Sequence, residues 1–262
     1  MKLSVSNIAW ESGQDERIYQ EMKRYGFMGL EIAPTRWFPE APYEHVREVR
    51  EHSLRLRERY GFRISSMQSI WFGRTESIWG ADEERNRLKE YTRLALDFAA
   101  AAECGNLVLG WPRNRNRPEG AEEADVLAFF QELGFAAEAH GAVIALEANP
   151  PIYHTNYINH TAEAINLIRC MDCPGIGLNL DVGTMIENGE TVEKLEGAWP
   201  YISHVHVSEP FLKPVEKHAL HGELAAALRE NAYKGYVSIE MGKQEDMSAL
   251  IEAMAYVAEV FG

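Results

Sequence analysis

Four short apolar segments in the second half of the chain each end on a residue type that binds metal ions. They are VIALE ending at Glu147, IGLNLD ending at Asp181, ISHVH ending at His206 and VSIE ending at Glu240. Side chains along a β-strand alternate between two faces, so each terminal residue shares its face with small or polar residues, while the opposite face is apolar. The pattern predicts four neighbouring parallel strands whose ends converge on one metal ion.

Three carboxylates and one imidazole would form a hard, oxygen-rich set of ligands. Such a set suits one divalent ion, Mn²⁺, Mg²⁺ or Co²⁺, and it is also compatible with Zn²⁺. His204 shares the face of His206 but lies further from the end of its strand. We therefore interpret His206 as the ligand and His204 as a core or supporting residue.

The rest of the chain alternates between helical and strand patterns, and a glycine separates helix from strand five times, at positions 26, 61, 105, 141 and 235. We predict eight strands, at residues 2–6, 29–33, 63–68, 106–110, 143–147, 176–181, 202–207 and 236–240. The helices are predicted at 14–25, 43–60, 82–104, 121–140, 161–171, 191–198, 218–232 and 246–261. Eight βα units indicate an α/β fold, a (β/α)8 TIM barrel, as one domain over residues 1–262. The alternative, an open doubly wound sheet, often has a GxGxxG loop after its first strand, and this chain has none there.

Composition excludes some partners. The chain has 26 basic and 40 acidic residues, for a formal charge of −14, which is unsuited to nucleic-acid binding. No apolar segment approaches the roughly 20 residues that span a bilayer, so no membrane partner is expected. Three cysteines are too few and odd in number for a disulfide framework, and we expect a cytoplasmic protein.

The motifs around the four terminal residues resemble those of the xylose-isomerase-like (AP endonuclease family 2) TIM barrels, and most of all the sugar isomerases and epimerases among them. The motifs are LEAN (146–149), LNLDVGT (178–184), HVHVSE (204–209) and SIEM (238–241). The resemblance implies a metal bound by Glu147, Asp181, His206 and Glu240. It also implies that Glu147 and Glu240 are catalytic and exchange protons with a substrate carbon, as in the ketose 3-epimerases of that superfamily.

The chain departs from those epimerases where they hold their substrate. The epimerases usually have a histidine at the position of Thr184, an arginine at the position of Leu212 and an acidic residue at the position of Tyr153. In this chain Leu212 is followed directly by Lys213. These departures point away from a standard ketohexose 3-epimerase.

Loops that follow the predicted strands supply candidate substrate-binding residues. Three arginines, Arg113, Arg115 and Arg117, follow strand four in a GxPxNR-like loop and could pair with an anionic group. Two prolines stiffen the loop after Glu147. The candidate substrate-binding residues are Trp111, Arg113, Arg117, Asn149, Tyr153 and His218.

We expect a divalent-metal-dependent isomerase or epimerase of a small sugar, sugar acid or sugar phosphate, acting by proton transfer next to a carbonyl. The expected partner is a small-molecule carbohydrate, with a homodimer or higher homo-oligomer possible. Two alternatives remain: a metal-dependent lyase or dehydratase, such as one acting on an inosose, and an abasic-site endonuclease. The endonuclease branch uses three zinc ions and further histidines, where this chain has Glu31, Gln68 and Thr184.

Overall fold

The eight predicted strands form a closed parallel barrel in the computed structural model, which describes residues 1–244 and 246–262. The strands are β1 (Lys2–Ser6), β2 (Gly29–Ile32), β3 (Arg63–Met67), β4 (Asn106–Leu109), β5 (Val143–Glu147), β6 (Ile176–Asp181), β7 (Ile202–Ser208) and β8 (Tyr236–Glu240). Strand order around the barrel follows chain order, and β8 closes on β1. The prediction of a TIM barrel is confirmed.

The helices of the barrel are α1 (Asp15–Arg24), α2 (Pro34–Trp37), α3 (Val46–Tyr60), α4 (Asp82–Ala101), α5 (Ala124–Ala139), α6 (Thr161–Met171), α7 (Val182–Asn188), α8 (Ala219–Glu230) and α9 (Ser248–Phe261). Six of the eight predicted helices agree with these bounds within about three residues at each end, and a seventh, 161–171, agrees at both ends. Within the described residues, no helix is long and apolar enough to cross a bilayer.

The predicted helix at 191–198 is wrong. The helix after β6 is α7, which begins directly at the strand end, and residues 192–195 form only a short 3-10 turn. The Asp181 carboxylate accepts a hydrogen bond from the Thr184 backbone N–H at 2.6 Å and so caps α7, while Gly189 ends the helix in the left-handed region. Asp181 is thus the N-cap of α7 in addition to the metal ligand expected from the sequence.

The barrel core follows the alternation of the strands. Side chains on the outward faces of β6, β7 and β8 are fully buried beneath the helices, among them Leu178, Leu180, Val205, Val207, Val237 and Ile239. The inward faces of these strands carry polar residues. Because the outward contacts fix which face points inward, a one-residue slip of any strand would turn its polar face into the helical layer.

Strand register brings the polar residues to one end of the barrel. Glu147 lies beside Asn179, His206 lies beside Asp181, and Glu240 lies beside Ser208. All are at the C-terminal ends of parallel strands, which is where TIM barrels place their active sites.

Candidate metal centre

The four terminal residues predicted as ligands lie together at the C-terminal end of the barrel. Glu147, Asp181, His206 and Glu240 each offer one ligand atom, and these four atoms lie within 4.8 Å of one another. The His206 Nδ1 atom is 3.2 Å from Glu147 Oε1, 3.3 Å from Glu240 Oε2 and 4.0 Å from Asp181 Oδ2. The group is a candidate metal site.

A further carboxylate, not expected at this site from the sequence, contacts the other ring nitrogen of His206 and sets the orientation of the imidazole. Glu31 of β2 is fully buried, and its Oε2 atom lies 2.9 Å from His206 Nε2 and 2.8 Å from His204 Nε2. When Nε2–H donates to Glu31, the lone pair of Nδ1 faces the three carboxylates. His204 therefore has the supporting position predicted for it.

Polar neighbours hold the carboxylates in place. Asn179 Nδ2 donates to Glu147 Oε1 at 2.6 Å, and Asn149 Nδ2 donates to Glu147 Oε2 at 3.0 Å. Ser208 Oγ donates to Asp181 Oδ2 at 2.5 Å. Asn179 and Ser208 belong to the same strand register as the ligands, which explains why they reach them.

Crowding of carboxylates shifts their pKa values. Burial, together with the charges of Glu147 and Glu240, raises the pKa of Asp181 to about 7. Burial also raises the pKa of Glu240. Burial by itself would lower the pKa of His206, but the surrounding carboxylates, Glu31 first among them, raise it well above its ordinary value.

The pKa of Glu147 moves in the opposite direction from that of Glu240. Burial alone would raise it, but the hydrogen bond and charge of His206, with the Asn149 hydrogen bond, lower the pKa below its ordinary value. Among residues 1–244 and 246–262, no lysine ammonium or arginine guanidinium pairs with any of these four side chains. Three carboxylates around one imidazole nitrogen fit a hard divalent cation, whose charge would compensate theirs.

A cavity of about 250 Å³ opens directly above the cluster. Its lining includes the three ligand carboxylates and further polar side chains, together with an apolar wall from β4 and from the loops after β3, β4 and β7. The polar residues are Gln68, Ser69, Asn149, Tyr153, Ser208 and Glu209, and the apolar wall is formed by Ile70, Trp71, Val108, Leu109, Trp111, Pro112 and Leu212. A concave site with one polar and one apolar side is typical of a small-molecule site.

Three of the six predicted substrate-binding residues line this cavity: Trp111, Asn149 and Tyr153. The Tyr153 hydroxyl accepts a hydrogen bond from the Phe211 backbone N–H at 2.9 Å. His218 does not line the cavity but lies 2.9 Å from Glu209 Oε1, so it supports a lining carboxylate from outside.

Arg113 and Arg117, two further candidates for substrate binding, do not line this cavity. Arg113 is exposed to solvent, and Arg117 donates to the Ala121 carbonyl and lies over the Trp79 ring. The loop after β4 turns its third arginine inward instead. Arg115 is 5% exposed and donates to the Glu147 carbonyl at 2.8 Å and to Asn149 Oδ1 at 2.8 Å.

Arg115, Glu31 and Glu209 are thus the site residues that sequence reasoning missed. Glu31 is the next-to-last residue of β2, whose sequence is GLEI, so an acidic residue near the C-terminal end of a strand was an available signal. No comparable signal separates Arg115 from its two neighbours, because a run of alternating arginines does not reveal which side chain turns inward.

The departures from the epimerase pattern have clear positions. Thr184 lies outside the cavity, and its hydroxyl donates to the Ala148 carbonyl at 2.9 Å. Leu212 lines the cavity, so an apolar side chain stands where the epimerases have a cation.

Comparison with known proteins agrees with this geometry. A probable ketose 3-epimerase from Synechocystis sp. is 24% identical over 261 residues, covering 94% of this chain and 86% of that protein. The structure of 3-keto-D-glucoside 4-epimerase from E. coli superposes with a TM-score of 0.77 at 19% identity and covers 99% of each chain. A D-psicose 3-epimerase structure gives a TM-score of 0.77 at 17% identity over 100% of both chains.

At these identities the solved structures establish a shared fold and no more. The family match extends further, since residues 19–259 fit the Xylose isomerase-like TIM barrel family. The chain belongs to the xylose isomerase-like TIM barrel family.

Proposed function

We propose that this protein is a divalent-metal-dependent isomerase or epimerase that acts on a small, uncharged keto sugar. The observation that supports this most directly is the convergence of Glu147, Asp181, His206 and Glu240, whose ligand atoms lie within 4.8 Å of one another at the base of a cavity. The probable ketose 3-epimerase relative and the two epimerase structures are similar to this chain over nearly its whole length.

The reaction requires removal of a weakly acidic proton from a carbon next to a carbonyl and return of a proton to that carbon or its neighbour. A divalent ion bound by the four residues would polarise the substrate oxygens as a Lewis acid. Glu147 and Glu240 lie on strands separated by β6 and β7, and both line the cavity, so each can face the substrate from its own side. We assign proton removal and proton return to this pair.

The supporting residues fit these roles. Asn149 and Asn179 donate to the two oxygens of Glu147 and fix the plane of its carboxylate. Their hydrogen bonds favour the ionised form, which a general base requires.

The charge of the cavity argues for a neutral substrate. Four carboxylates line it, those of Glu147, Asp181, Glu209 and Glu240, and among the residues that the structure describes no lysine or arginine lines it. One divalent ion compensates only part of that negative charge. A phosphate or carboxylate on the substrate would find no lysine or arginine partner there and would face four carboxylates, so the sugar acids and sugar phosphates considered from sequence are disfavoured.

The test is solvent exchange. The protein is freed of metal, reloaded with Mn²⁺ and incubated in D₂O with neutral keto sugars and their phosphorylated counterparts. We expect deuterium at the carbon next to the carbonyl of a neutral sugar, detected by NMR, and none when the metal is chelated. Exchange confined to phosphorylated sugars would contradict the neutral-substrate assignment, and loss of water from the substrate would indicate a dehydratase instead.

A further inference from the structure

A second cavity borders the first at the same end of the barrel. It has a volume of about 490 Å³ and lies over the ends of β1, β2 and β3. We name it the outer groove, and it is lined in part by Ser12, Thr35, Arg36, Pro39, Ser69 and Phe72. Ser69 lines both cavities, so the two meet at this residue.

The boundary between the cavities is a tight turn that displays an aromatic ring. Ser69 has a φ of 55°, in the left-handed region that non-glycine residues seldom adopt, and its carbonyl accepts a hydrogen bond from the Phe72 N–H at 2.9 Å. Phe72 is 57% exposed. Its ring packs edge-on against Trp111, with centroids 6.2 Å apart, and Trp111 lines the metal-site cavity. The two rings therefore form an aromatic surface that extends from one cavity to the other.

The charges of the outer groove are paired with one another. Lys243 forms an ion pair with Glu11, and Arg36 Nη2 donates to Asp15 Oδ1 at 2.6 Å. The rest of the lining consists of the hydroxyl groups of Ser12, Ser69 and Thr35, the exposed Phe72 ring and four further apolar residues, Ile8, Trp10, Ala33 and Pro39. Paired charges, hydroxyls and one aromatic face suit an uncharged ring, either a second sugar or an aryl group.

Size separates the roles of the two cavities. The metal-site cavity, at about 250 Å³, lies below the range of roughly 300–1,000 Å³ that is usual for ligands of drug size, so it suits a single sugar ring. We propose that the outer groove is a second subsite and that the substrate is a keto glycoside, with its reacting ring above the metal ligands and its attached group against Phe72. This inference rests on the proposed function, since it identifies the substrate class of the same site.

The test compares two probes that differ only in the attached group, phenyl 3-keto-β-D-glucoside and free 3-keto-D-glucose. Binding to the Mn²⁺-loaded protein is measured by calorimetry, separately from deuterium exchange. We expect the phenyl glycoside to bind about tenfold more tightly, because one aromatic contact contributes on the order of this factor. Phe72→Ala and Ser12→Trp, the second of which fills the groove from an exposed position, should abolish the preference without changing the affinity for the free sugar.

Phe135→Ala is the matched control, because Phe135 is also 57% exposed but lies on α5, outside both cavities. It should keep the preference. Equal affinity of the parent for the two probes, or equal loss of both affinities in the groove variants, would overturn the proposal. So would a change of oligomeric state in the groove variants with no selective effect on the glycoside, since the groove would then be an interface between two copies.

The calorimetric measurement of glycoside binding and the deuterium-exchange assay test the two proposals separately. A selective affinity for the glycoside without deuterium exchange would retain the outer subsite and reject the proposed proton transfer. Exchange on the free sugar with no preference for the glycoside would retain the proposed function and reject the subsite.

Discussion

Metal binding should release protons, because the pKa values of Asp181 and His206 are raised in the metal-free site. The pKa of Asp181 is raised to about 7 by burial and by Glu147 and Glu240, so in the metal-free protein about half of this carboxyl is protonated at pH 7. The raised pKa of His206 means that its imidazole carries a second proton that must leave before Nδ1 can bind a metal ion. At pH 7 Asp181 should therefore release about 0.5 proton per metal ion, in addition to the proton that leaves His206.

Titration calorimetry with Mn²⁺ in buffers of different ionisation enthalpy measures this number. The part of the release that comes from Asp181 should fall by about 0.9 proton between pH 6 and pH 8.5, because this carboxyl ionises over the interval. Asp181→Asn should remove most of this pH dependence. Release below about 0.5 protons at pH 7, or a release that does not change with pH, would refute the assignment of these two groups.

The same shift has a consequence for the stability of the metal-free protein. The pKa of Asp181 is about 7 in the folded state and has the ordinary value of 3.8 in the unfolded chain. As pH rises from about 4 to 7 the unfolded chain loses this proton first, so the free energy of unfolding decreases over that interval. Asp181→Asn should therefore raise the thermal midpoint of the metal-free protein at pH 8 and not at pH 4. Urea or thermal unfolding at the two pH values checks the sign.

Two further changes, each with a matched control, test the surroundings of the site. A Cβ at position 110 would collide with the Glu147 carboxylate, so Gly110→Ala should lower kcat about 10²-fold in the exchange assay, whereas Gly105→Ala, whose Cβ would meet its nearest neighbour at 3.7 Å, should not. Arg115→Met leaves buried carbonyl oxygens without a donor and should cost about 2–4 kcal/mol in the free energy of unfolding, measured with urea. Arg113→Met, at an exposed position of the same loop, should change it by less than about 0.5 kcal/mol.

The sequence predicts the barrel and the four converging residues because both depend on local patterns. Glycines after helices place the strands, and period-2 alternation places Glu147, Asp181, His206 and Glu240 on inward faces at strand ends. Parallel strands then bring these ends together at one rim. Glu31 also lies near the C-terminal end of its strand, but local pattern alone does not show that it contacts His206 across the barrel.

Loops and helix starts were harder to predict because distant contacts decide them. Arg115 turns inward because its guanidinium donates to three buried acceptors, two of them in the loop after β5. These acceptors lie far from Arg115 in the sequence, so the residues around Arg115 do not predict its direction. The helix α7 begins at Val182 because Asp181 caps it, a role concealed by the apparent role of Asp181 as a ligand. The direction of side chains in the loops could therefore be determined only from the folded structure.

The most direct test of the central claim is deuterium exchange in Glu147→Gln and Glu240→Gln, once a substrate has been found. Each variant keeps the size of the side chain but loses its capacity to exchange a proton, and we expect each to lose at least about 10²-fold in the rate of exchange. Thr184→Ala, which removes only a hydroxyl bonded to the Ala148 carbonyl, should exchange at nearly the parent rate. Metal content, measured alongside, separates loss of the ion from loss of the base. Full exchange in either glutamine variant would contradict the assignment of Glu147 and Glu240 as the proton-transferring pair.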